Sequence, residues 1–320
     1  MKSRQSKRIV CLGGGIGTSN LLRGLKTYPH HLSVVTSMAD DGGSSGRLRK
    51  AYGIMPPGDI ISCIAALIPA AKQELADLLT YRLNGPQREN TSLGGHKLGN
   101  LLMLAEIQRT GDFYQAIDVV KRMFGVEADL FPATDVRVHL SALTKDGRRV
   151  HSETTLDLAL YGRPHGLKKI FIRPKNPKVN PAVIDSLLRA DCIISGPGDL
   201  YTNQLPVLVV PQIREAFLKS RAKKIFVLNI ANKPFETAGF TLLDFIQAFT
   251  EHLGSFPFDT VIVNQNKSHL IPKELHYNYI SVGLAHRDTA YRTVAADLVD
   301  TAFPIYHDPK KLASCIVKQL

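Results

Sequence analysis

Glycines follow the first apolar segment of the sequence. Residues 8–12 read RIVCL, a short run typical of a buried strand, and GGGIG follows at 13–17. Glycines between a strand and a helix let backbone N–H groups approach a phosphate, whose charge the positive end of the helix stabilises. A plain tight turn is the alternative. The predicted phosphate-binding residues are Gly14, Gly15, Gly17 and Thr18.

This turn lacks the fingerprints of the common nucleotide folds. Thr18 stands where G-x-G-x-x-G requires its third glycine, and no acidic residue closes the second predicted strand at Thr36, which argues against a nicotinamide cofactor. The sequence contains no P-loop pattern, and the segment at 195–203 contains no G-x-S-x-G elbow of α/β-hydrolases. The chemistry must therefore come from other segments.

An acidic, glycine-rich segment, ADDGGSSGRLR at 39–49, follows the second predicted strand. Adjacent carboxylates repel each other unless a metal, an arginine or a ligand donor offsets the repulsion. Asp40 and Asp41 could hold a hydrated Mg²⁺ or accept from a sugar hydroxyl, while Arg47 and Arg49 could bind a diphosphate. A solvated Asp-Gly turn is the alternative. The predicted site residues here are Asp40, Asp41, Gly43, Ser44 and Arg47.

Two further segments carry polar groups suited to binding. In GGHKLGN at 94–100, Asn100 interrupts a Leu-rich helix face and needs a buried partner, either a structural group or a ligand. His96 at the helix start is expected to be neutral, in a binding or a structural role. SGPGDLYTN at 195–203 follows a buried strand and suits a sugar phosphate. The predicted site residues in it are Gly196, Gly198, Asp199, Tyr201 and Thr202.

The elements that position these segments alternate between short apolar runs and helix-length stretches, which is typical of a parallel α/β sheet. We predict a Rossmann-like, doubly wound, mainly parallel sheet in one domain over 1–320, with a helical and small β-rich insertion at about 84–173. Residues 40–46 are predicted as a loop, and Thr18 or Ser19 and Asp59 as helix caps. The predicted strands are 8–12, 32–36, 192–194, 225–229 and 261–263, with β-rich structure at about 129–173. The predicted helices are 59–68, 74–83, 97–108, 112–124, 181–189, 242–252 and one from about 211.

The order of these elements predicts where the site lies. In a doubly wound sheet the first strand and the strand at 192–194 are neighbours at the switch point, beyond which ligands bind. The glycine turns at 13–17 and 196–198 should then face one crevice.

Charge, hydrophobic content and cysteine spacing indicate which partners and which cellular compartment to expect. The 320 residues carry 40 Lys+Arg against 28 Asp+Glu, a net charge of +12, with 44% hydrophobic residues. The basic residues are scattered, and the densest stretch, 168–178, contains two prolines, which argues against nucleic acid as the main partner. Cysteines 11, 63, 192 and 315 form no C-x-x-C pair, and no run suits a signal peptide or a membrane span. We expect a cytoplasmic protein with no membrane partner.

Taken together, the motifs resemble the signature of one superfamily. It contains the 2-phospho-L-lactate transferases of coenzyme F420 synthesis and the bacterial gluconeogenesis-factor proteins. The resemblance runs from Ile9 to about Pro309, and the 39–49 segment, PPGDI and GPGDLYT are similar to the gluconeogenesis-factor branch. The motifs are GGGIG at 13–17, ADDGGSSGRLR at 39–49, PPGDI at 56–60, GHKLGNLL at 95–102 and SGPGDLYT at 195–202.

That branch implies a Rossmann-like cytoplasmic protein that binds UDP-sugars, notably UDP-N-acetylglucosamine, and supports cell shape and envelope synthesis on gluconeogenic carbon sources. The resemblance implies a regulator rather than an enzyme. A protein partner would recognise its ligand-bound state, and the protein could form homo-oligomers. The alternative is a Mg²⁺-dependent transferase of a phosphate-linked group, with Asp41 or Asp199 holding the metal or accepting a proton. The resemblance places Gly14, Gly15, Thr18, Asp40, Asp41, Asn100, Gly198, Asp199 and Thr202 in the nucleotide-sugar crevice.

The chain departs from the resembling pattern at three places. Asn203 replaces a serine, NIANKP at 229–234 replaces a loop with Thr-Gln-Pro, and Tyr306 stands where an arginine is usual. Tyr306 could stack on the ligand, or Arg287 or Arg292 could supply the missing charge. We also expect Asp41→Ala to weaken ligand binding without unfolding the domain.

Overall fold

The computed structural model describes residues 6–85, 93–158, 166–234, 236–283 and 291–320. Its strands are β1 (Arg8–Leu12), β2 (His31–Thr36), β3 (Asp129–Pro132), β4 (His139–Thr144), β5 (Arg149–His151), β6 (Leu167–Arg173), β7 (Cys192–Ser195), β8 (Lys223–Val227), β9 (Ala231–Asn232), β10 (Thr260–Asn264), β11 (Asn278–Tyr279) and β12 (Arg292–Ala296).

Helices connect and flank these strands. They are α1 (Gly15–Leu25), α2 (Gly43–Tyr52), α3 (Gly58–Leu67), α4 (Gln73–Thr80), α5 (Leu98–Thr110), α6 (Phe113–Phe124), α7 (Glu153–Asp157), α8 (Pro181–Arg189), α9 (Leu205–Leu208), α10 (Pro211–Lys219), α11 (Leu242–Leu253) and α12 (Pro309–Val317). Short 3₁₀ turns lie at Ala70–Lys72 and Lys273–Leu275, and a π-helical turn at Leu200–Gln204.

The central sheet has seven strands in the order β12-β10-β8-β7-β1-β2-β3, and every pairing in it is parallel. Chain order runs outward from β1 through β2 to β3, and then in the opposite direction from β7 to β12. The switch point therefore lies between β1 and β7, where Leu12 is in register with Ser195. The predicted Rossmann-like, doubly wound fold is confirmed.

Apolar side chains explain why this sheet forms. The central strands β1, β7 and β10 are buried nearly throughout, as expected where helices cover both faces of a parallel sheet. Helix α1 packs against α3 and α12, and α8 packs against α10. Phe226 of β8 contacts Phe249 of α11 at 5.1 Å between ring centroids, within an aromatic cluster that fixes α11 on the sheet.

A second, antiparallel sheet of order β5-β4-β6 lies within the predicted insertion. The predicted 129–173 β-rich stretch was too broad at its start, because β3 is the edge strand of the central sheet. Leu130 and Phe131 are in register with Val34 and Val35 of β2, and this pairing places Leu130 in the main core.

Three local predictions near the glycine turns are wrong. Residues 43–46 are helical in α2, because the Gly46 N–H donates to the Gly42 carbonyl at 2.7 Å and closes the first helical turn. Helix α1 begins at Gly15, so Thr18 and Ser19 lie inside it. Asp59 lies in the first turn of α3 and does not cap it. The other predicted helices and strands agree with the structure to within three residues at their ends.

In the described part of the chain, no helix combines the length and the apolar character that a bilayer crossing requires.

Candidate functional site

The two glycine turns meet at the switch point. A Cβ atom on Gly17 would lie 2.5 Å from the Pro197 carbonyl oxygen, so only glycine allows the start of α1 to approach the second turn this closely. Asn229 holds that turn from the other side: its Oδ1 accepts from the Gly198 N–H and its Nδ2 donates to the Gly198 carbonyl, both at 2.9 Å. The predicted juxtaposition of the turns is confirmed.

Between the turns lies a cavity of about 290 Å³, which we call the switch-point cavity. Five predicted site residues line it: Gly14, Gly15, Gly17, Gly198 and Asp199. The remaining lining residues include Asn203, Asn229, Lys233, Tyr277, Tyr306 and His307. Backbone amides at the N-terminus of α1 and the rings of Tyr277 and Tyr306 thus border the same cavity.

The aromatic wall consists of Tyr277 and Tyr306. Burial raises the pKa of both phenols, which keeps them uncharged and able to donate hydrogen bonds. His307 lies beside them, and burial lowers the pKa of its imidazole to about 3, so this ring is neutral at physiological pH. Such groups can stack on a base and hydrogen-bond a ribose without adding charge.

Tyr306 stands where the resembling pattern has an arginine, and Arg292 does not supply the missing positive charge. This residue is the first of β12, at the amino-terminal edge of the parallel sheet, whereas the switch-point cavity lies beyond the carboxyl edge. Arg287 lies outside the described residues.

Asp59 is a site residue that the sequence reasoning treated only as a cap. Its Oδ1 accepts from the Gly15 N–H at 3.0 Å, and a Cβ on Gly14 would fall 1.9 Å from its Oδ2. Burial, and next the charge of Asp40, raise the pKa of Asp59 to about 7. The only signal for this role in the sequence was the PPGDI motif at 56–60, which is one of the motifs that carry the resemblance.

Carboxyl groups surround a second cavity of about 220 Å³, the acidic cavity, which adjoins the first. Lys233 bridges it: its ammonium lies 2.7 Å from Asp199 Oδ2 and also donates to Asp157. Although burial opposes its charge, Asp199, Glu236 and Asp157 raise the pKa of Lys233 well above its usual range. The lining residues are Ser37, Asp40, Asp59, Glu153, Asp157, Asp199, Thr202, Asn203 and Lys233.

Several of these carboxyl groups are poised to hold protons. Burial, followed by the nearby Asp40 and Asp157, raises the pKa of Glu153 to about 9, and burial also raises the pKa of Asp40. Glu236 lies behind the cavity, where burial and then Asp199 raise its pKa to about 8. Its Oε1 accepts from the N–H groups of Tyr201 and Thr202 at 2.6 and 3.0 Å and fixes the π-helical turn.

The structure separates the two predicted Mg²⁺ ligands. Asp40 lines the acidic cavity, but the Asp41 carboxylate accepts from the N–H groups of Glu153 and Thr154 at 3.1 and 2.8 Å, and from the Thr154 hydroxyl at 2.8 Å. Asp41 thus attaches the start of α7 to the central domain. The described residues include no group of three or more His, Cys, Asp or Glu side chains arranged to hold a metal. Asp40 and Asp41 therefore do not fit a shared Mg²⁺. The prediction that Asp41 lines the crevice is wrong, because Asp41 lines none of the cavities described here.

The predicted arginines also have structural partners. The Arg47 Nη2 donates to the Gly94 carbonyl at 2.7 Å, and Arg49 is buried with its guanidinium on the Met38 and Asp40 carbonyls, both at 3.2 Å. Neither lines the crevice, because their helix α2 directs them toward neighbouring backbone.

Three further predicted residues support the site from behind. The Thr18 hydroxyl donates to the Pro197 carbonyl at 3.5 Å. Gly196 is buried where a Cβ would lie 2.7 Å from the Val227 carbonyl oxygen. The Tyr201 hydroxyl donates to the Leu167 carbonyl at 3.3 Å, and its ring packs in the core against Phe240.

A third cavity of about 530 Å³ lies on the other side of the acidic cavity; we call it the basic cavity because Arg23, Arg82 and Lys97 line it. Of the predicted residues, Gly15, Asp40, Gly43, Ser44 and Asn100 line it. The Asn100 Nδ2 donates to the Ser44 hydroxyl at 3.0 Å, which is the buried partner that the sequence required. His96 contacts the same hydroxyl at 2.9 Å, and burial lowers its pKa, in agreement with a neutral imidazole.

Residues 9–299 match the family model of the 2-phospho-L-lactate transferase CofD. This chain belongs to the CofD family. The match covers the central sheet from β1 to β12, whereas Tyr306 and His307 of the switch-point cavity lie beyond its last residue.

Individual relatives agree with the family model. A gluconeogenesis factor of Bacillus subtilis is 40% identical over 275 residues, covering 86% of this chain and 83% of that protein. A gluconeogenesis factor of Listeria monocytogenes is 34% identical, covering 86% of this chain and 82% of the relative. A crystal structure of a UPF0052-family protein from Bacillus halodurans superposes with a TM-score of 0.87 at 31% identity, covering 98% of this chain and 100% of the other. The predicted resemblance is confirmed.

Proposed function

We propose that this CofD-family chain is a gluconeogenesis factor that binds a nucleotide-diphosphate sugar, UDP-N-acetylglucosamine, in the switch-point cavity. The observation that supports this most strongly is the meeting of the two glycine turns at the N-terminus of α1, opposite Tyr277 and Tyr306. A diphosphate needs backbone donors and a positive helix end, and a nucleoside needs a flat apolar wall with polar edges.

The two adjoining cavities suggest where the diphosphate, the base and the sugar of the ligand would lie. The diphosphate would lie on the N–H groups of Ile16 and Gly17, since the Gly15 N–H donates to Asp59, and the base would lie against Tyr306. The sugar would then extend toward the acidic cavity, where Asp199 and Asp40 can accept from its hydroxyl groups. Lys233 borders both cavities and would face the diphosphate, supplying positive charge that Arg47 and Arg49 do not.

We propose a regulatory role for the bound form. The names of the relatives support a role as a gluconeogenesis factor. The resemblance of the motifs supports a cytoplasmic protein that acts in cell shape and envelope synthesis on gluconeogenic carbon sources. In this role a protein partner recognises the ligand-bound state, and the chain can act as a homo-oligomer.

A transferase that acts on a nucleotide-diphosphate-linked substrate is the second candidate. The acidic cavity favours it, because it connects the switch-point cavity to the basic cavity and contains carboxyl groups with raised pKa values. Asp59, with a pKa of about 7, replaces Asp41 as the group suited to proton transfer. Since the Asp40–Asp41 pair does not form a metal site, no step through Mg²⁺ is assigned.

One titration series separates the two candidates. Isothermal titration of the full chain with UDP-N-acetylglucosamine, GDP and GTP measures which nucleotide binds, and ³¹P NMR of the same mixtures over a day measures turnover. Selective binding of the unchanged UDP-sugar supports the regulator. New phosphorus resonances support the transferase, and absence of binding to every nucleotide contradicts both.

A further inference from the structure

The basic cavity has a charge distribution that nucleotide binding at the switch point does not explain. Arg23 and Arg82 are exposed at its rim, and Lys97 is partly buried with its ammonium 3.0 Å from the Ser62 hydroxyl. In the described part of the chain, none of these cations belongs to an ion pair. Burial, and next Arg82, lower the pKa of Lys97, so an anion at this position would relieve both effects.

Helix ends add to this positive potential. Helices α1, α2, α3 and α5 all begin at residues that line the basic cavity or adjoin its lining, and none of their N-cap residues supplies a side-chain cap. Each has ten or more residues and carries the positive end of a helix dipole at its first turn. Asp59 accepts from the Gly15 N–H of α1 and lies in the first turn of α3, so it offsets part of this potential at those two helices. Such termini commonly bind phosphate.

A buried polar atom also lacks a partner at this cavity. Asn100 is 1% exposed and lines the cavity, and its Oδ1 accepts no hydrogen bond although its Nδ2 donates to Ser44. An unpaired buried acceptor is costly, and a ligand hydroxyl donating to it would remove that cost.

We infer that the basic cavity is a second ligand site that takes a sugar phosphate, with the phosphate on Arg23, Arg82 and Lys97 and the sugar hydroxyls toward Asn100 and the acidic wall. The acidic wall consists of Asp40, Asp59, Glu153 and Asp157, which line the same cavity. A molecule with a phosphate at one end and several hydroxyl donors at the other matches this distribution, whereas a ligand with an anionic group at each end, or one without hydroxyl groups, matches only half of it. This inference goes beyond the proposed function and does not depend on it.

The experiment is isothermal titration of the full chain with three probes: glucose 6-phosphate, inorganic phosphate and glucose. We expect glucose 6-phosphate to bind at least about tenfold more tightly than inorganic phosphate, and glucose not to bind, because anion and hydroxyl contacts both contribute. Arg82→Ala and Lys97→Met should each weaken glucose 6-phosphate binding about tenfold. The control Arg122→Ala removes an equal charge from an exposed position on α6 and should change the Kd less than about twofold.

Competition then locates the site. Saturating UDP should leave glucose 6-phosphate binding unchanged, because the two occupy different cavities. The inference would be overturned if UDP displaced glucose 6-phosphate, or if Arg122→Ala weakened its binding as much as Arg82→Ala does. It would also be overturned if glucose 6-phosphate did not bind, or bound no more tightly than inorganic phosphate. Arg82 is exposed, so we expect Arg82→Ala to fold. This variant still tests the inference if Lys97→Met does not fold. Binding of UDP-N-acetylglucosamine is measured on the same samples, so that a failure of the proposed sugar-phosphate site can be distinguished from a failure of the proposed nucleotide site.

Discussion

The Gly15 N–H donates a hydrogen bond to Asp59 Oδ1 at 3.0 Å. This contact joins the first glycine turn to the start of α3, although the two residues lie 44 positions apart in the sequence. It places a carboxyl group with a pKa of about 7 beneath the turn that we expect to bind a diphosphate. The protonation of Asp59 is therefore linked both to the stability of the domain and to the charge of the crevice.

Removing the Asp59 charge should change how stability depends on pH. Because folding raises its pKa from 3.8 to about 7, the contribution of Asp59 to stability is fully present below pH 3.8 and is lost as the pH rises through 7. The free energy of unfolding of the wild type, relative to Asp59→Asn, should decline by at most about 1.4 kcal/mol per pH unit across this window. Urea unfolding from pH 4 to 8 measures it. A parallel pH profile for both proteins contradicts the prediction, and exposed Asp185→Asn is the control.

Gly17→Ala should damage both stability and binding. The new Cβ would lie 2.5 Å from the Pro197 carbonyl oxygen, and backbone must move to admit it. We expect a loss of about 1–3 kcal/mol in the free energy of unfolding and at least about tenfold weaker UDP-N-acetylglucosamine binding. Gly147→Ala is the control, since its Cβ meets open space and only backbone strain results. Equal binding by Gly17→Ala and wild type would show that the turns need not meet.

Asp41→Ala should act on α7 rather than on the ligand. It removes three hydrogen bonds to Glu153 and Thr154, so we expect a loss of about 1–2 kcal/mol in stability. The Kd for UDP-N-acetylglucosamine should change less than about threefold, because Asp41 does not line the switch-point cavity. Calorimetric titration and urea unfolding of the same variant test both statements. A large loss of binding with unchanged stability would restore Asp41 to the ligand site, as the sequence alone suggested.

Lys233 and Asp157 should be energetically coupled. The ammonium of Lys233 contacts Asp157 and Asp199 at once, so Lys233→Met leaves two carboxylates without their cation. A double-mutant cycle with Asp157→Asn should give a coupling free energy of at least about 1 kcal/mol. Additive effects of the two substitutions would show that the bridge does not stabilise the attachment of α7.

The fold was predictable because its signals are local. Apolar runs such as 8–12 and 192–194 predict buried strands wherever they lie, and their order in the chain predicts which become neighbours at the switch point. Helix α2 was missed because Gly43 and Ser44 have poor helix propensity. The structure overrides that propensity where the Gly42 carbonyl accepts from the Gly46 N–H.

The candidate site was predictable only in part. Gly17 and Gly198 reach the switch-point cavity because backbone geometry follows from the strands that precede them. Side chains such as Asp41 and Lys233 depend on tertiary contacts: Asp41 binds residues more than 100 positions away, and Lys233 reaches Asp157 across 76 positions. No local pattern encodes such pairings, so the sequence assigned both Asp40 and Asp41 to the site, although only Asp40 lines it.

A crystal structure with UDP-N-acetylglucosamine tests the central claim most directly. We predict diphosphate density within hydrogen-bond distance of the N–H groups of Ile16 and Gly17, with the base beside Tyr306 and the sugar directed toward Asp199. Density for the nucleotide at any other surface, or an unchanged switch-point cavity at saturating ligand, would contradict the account.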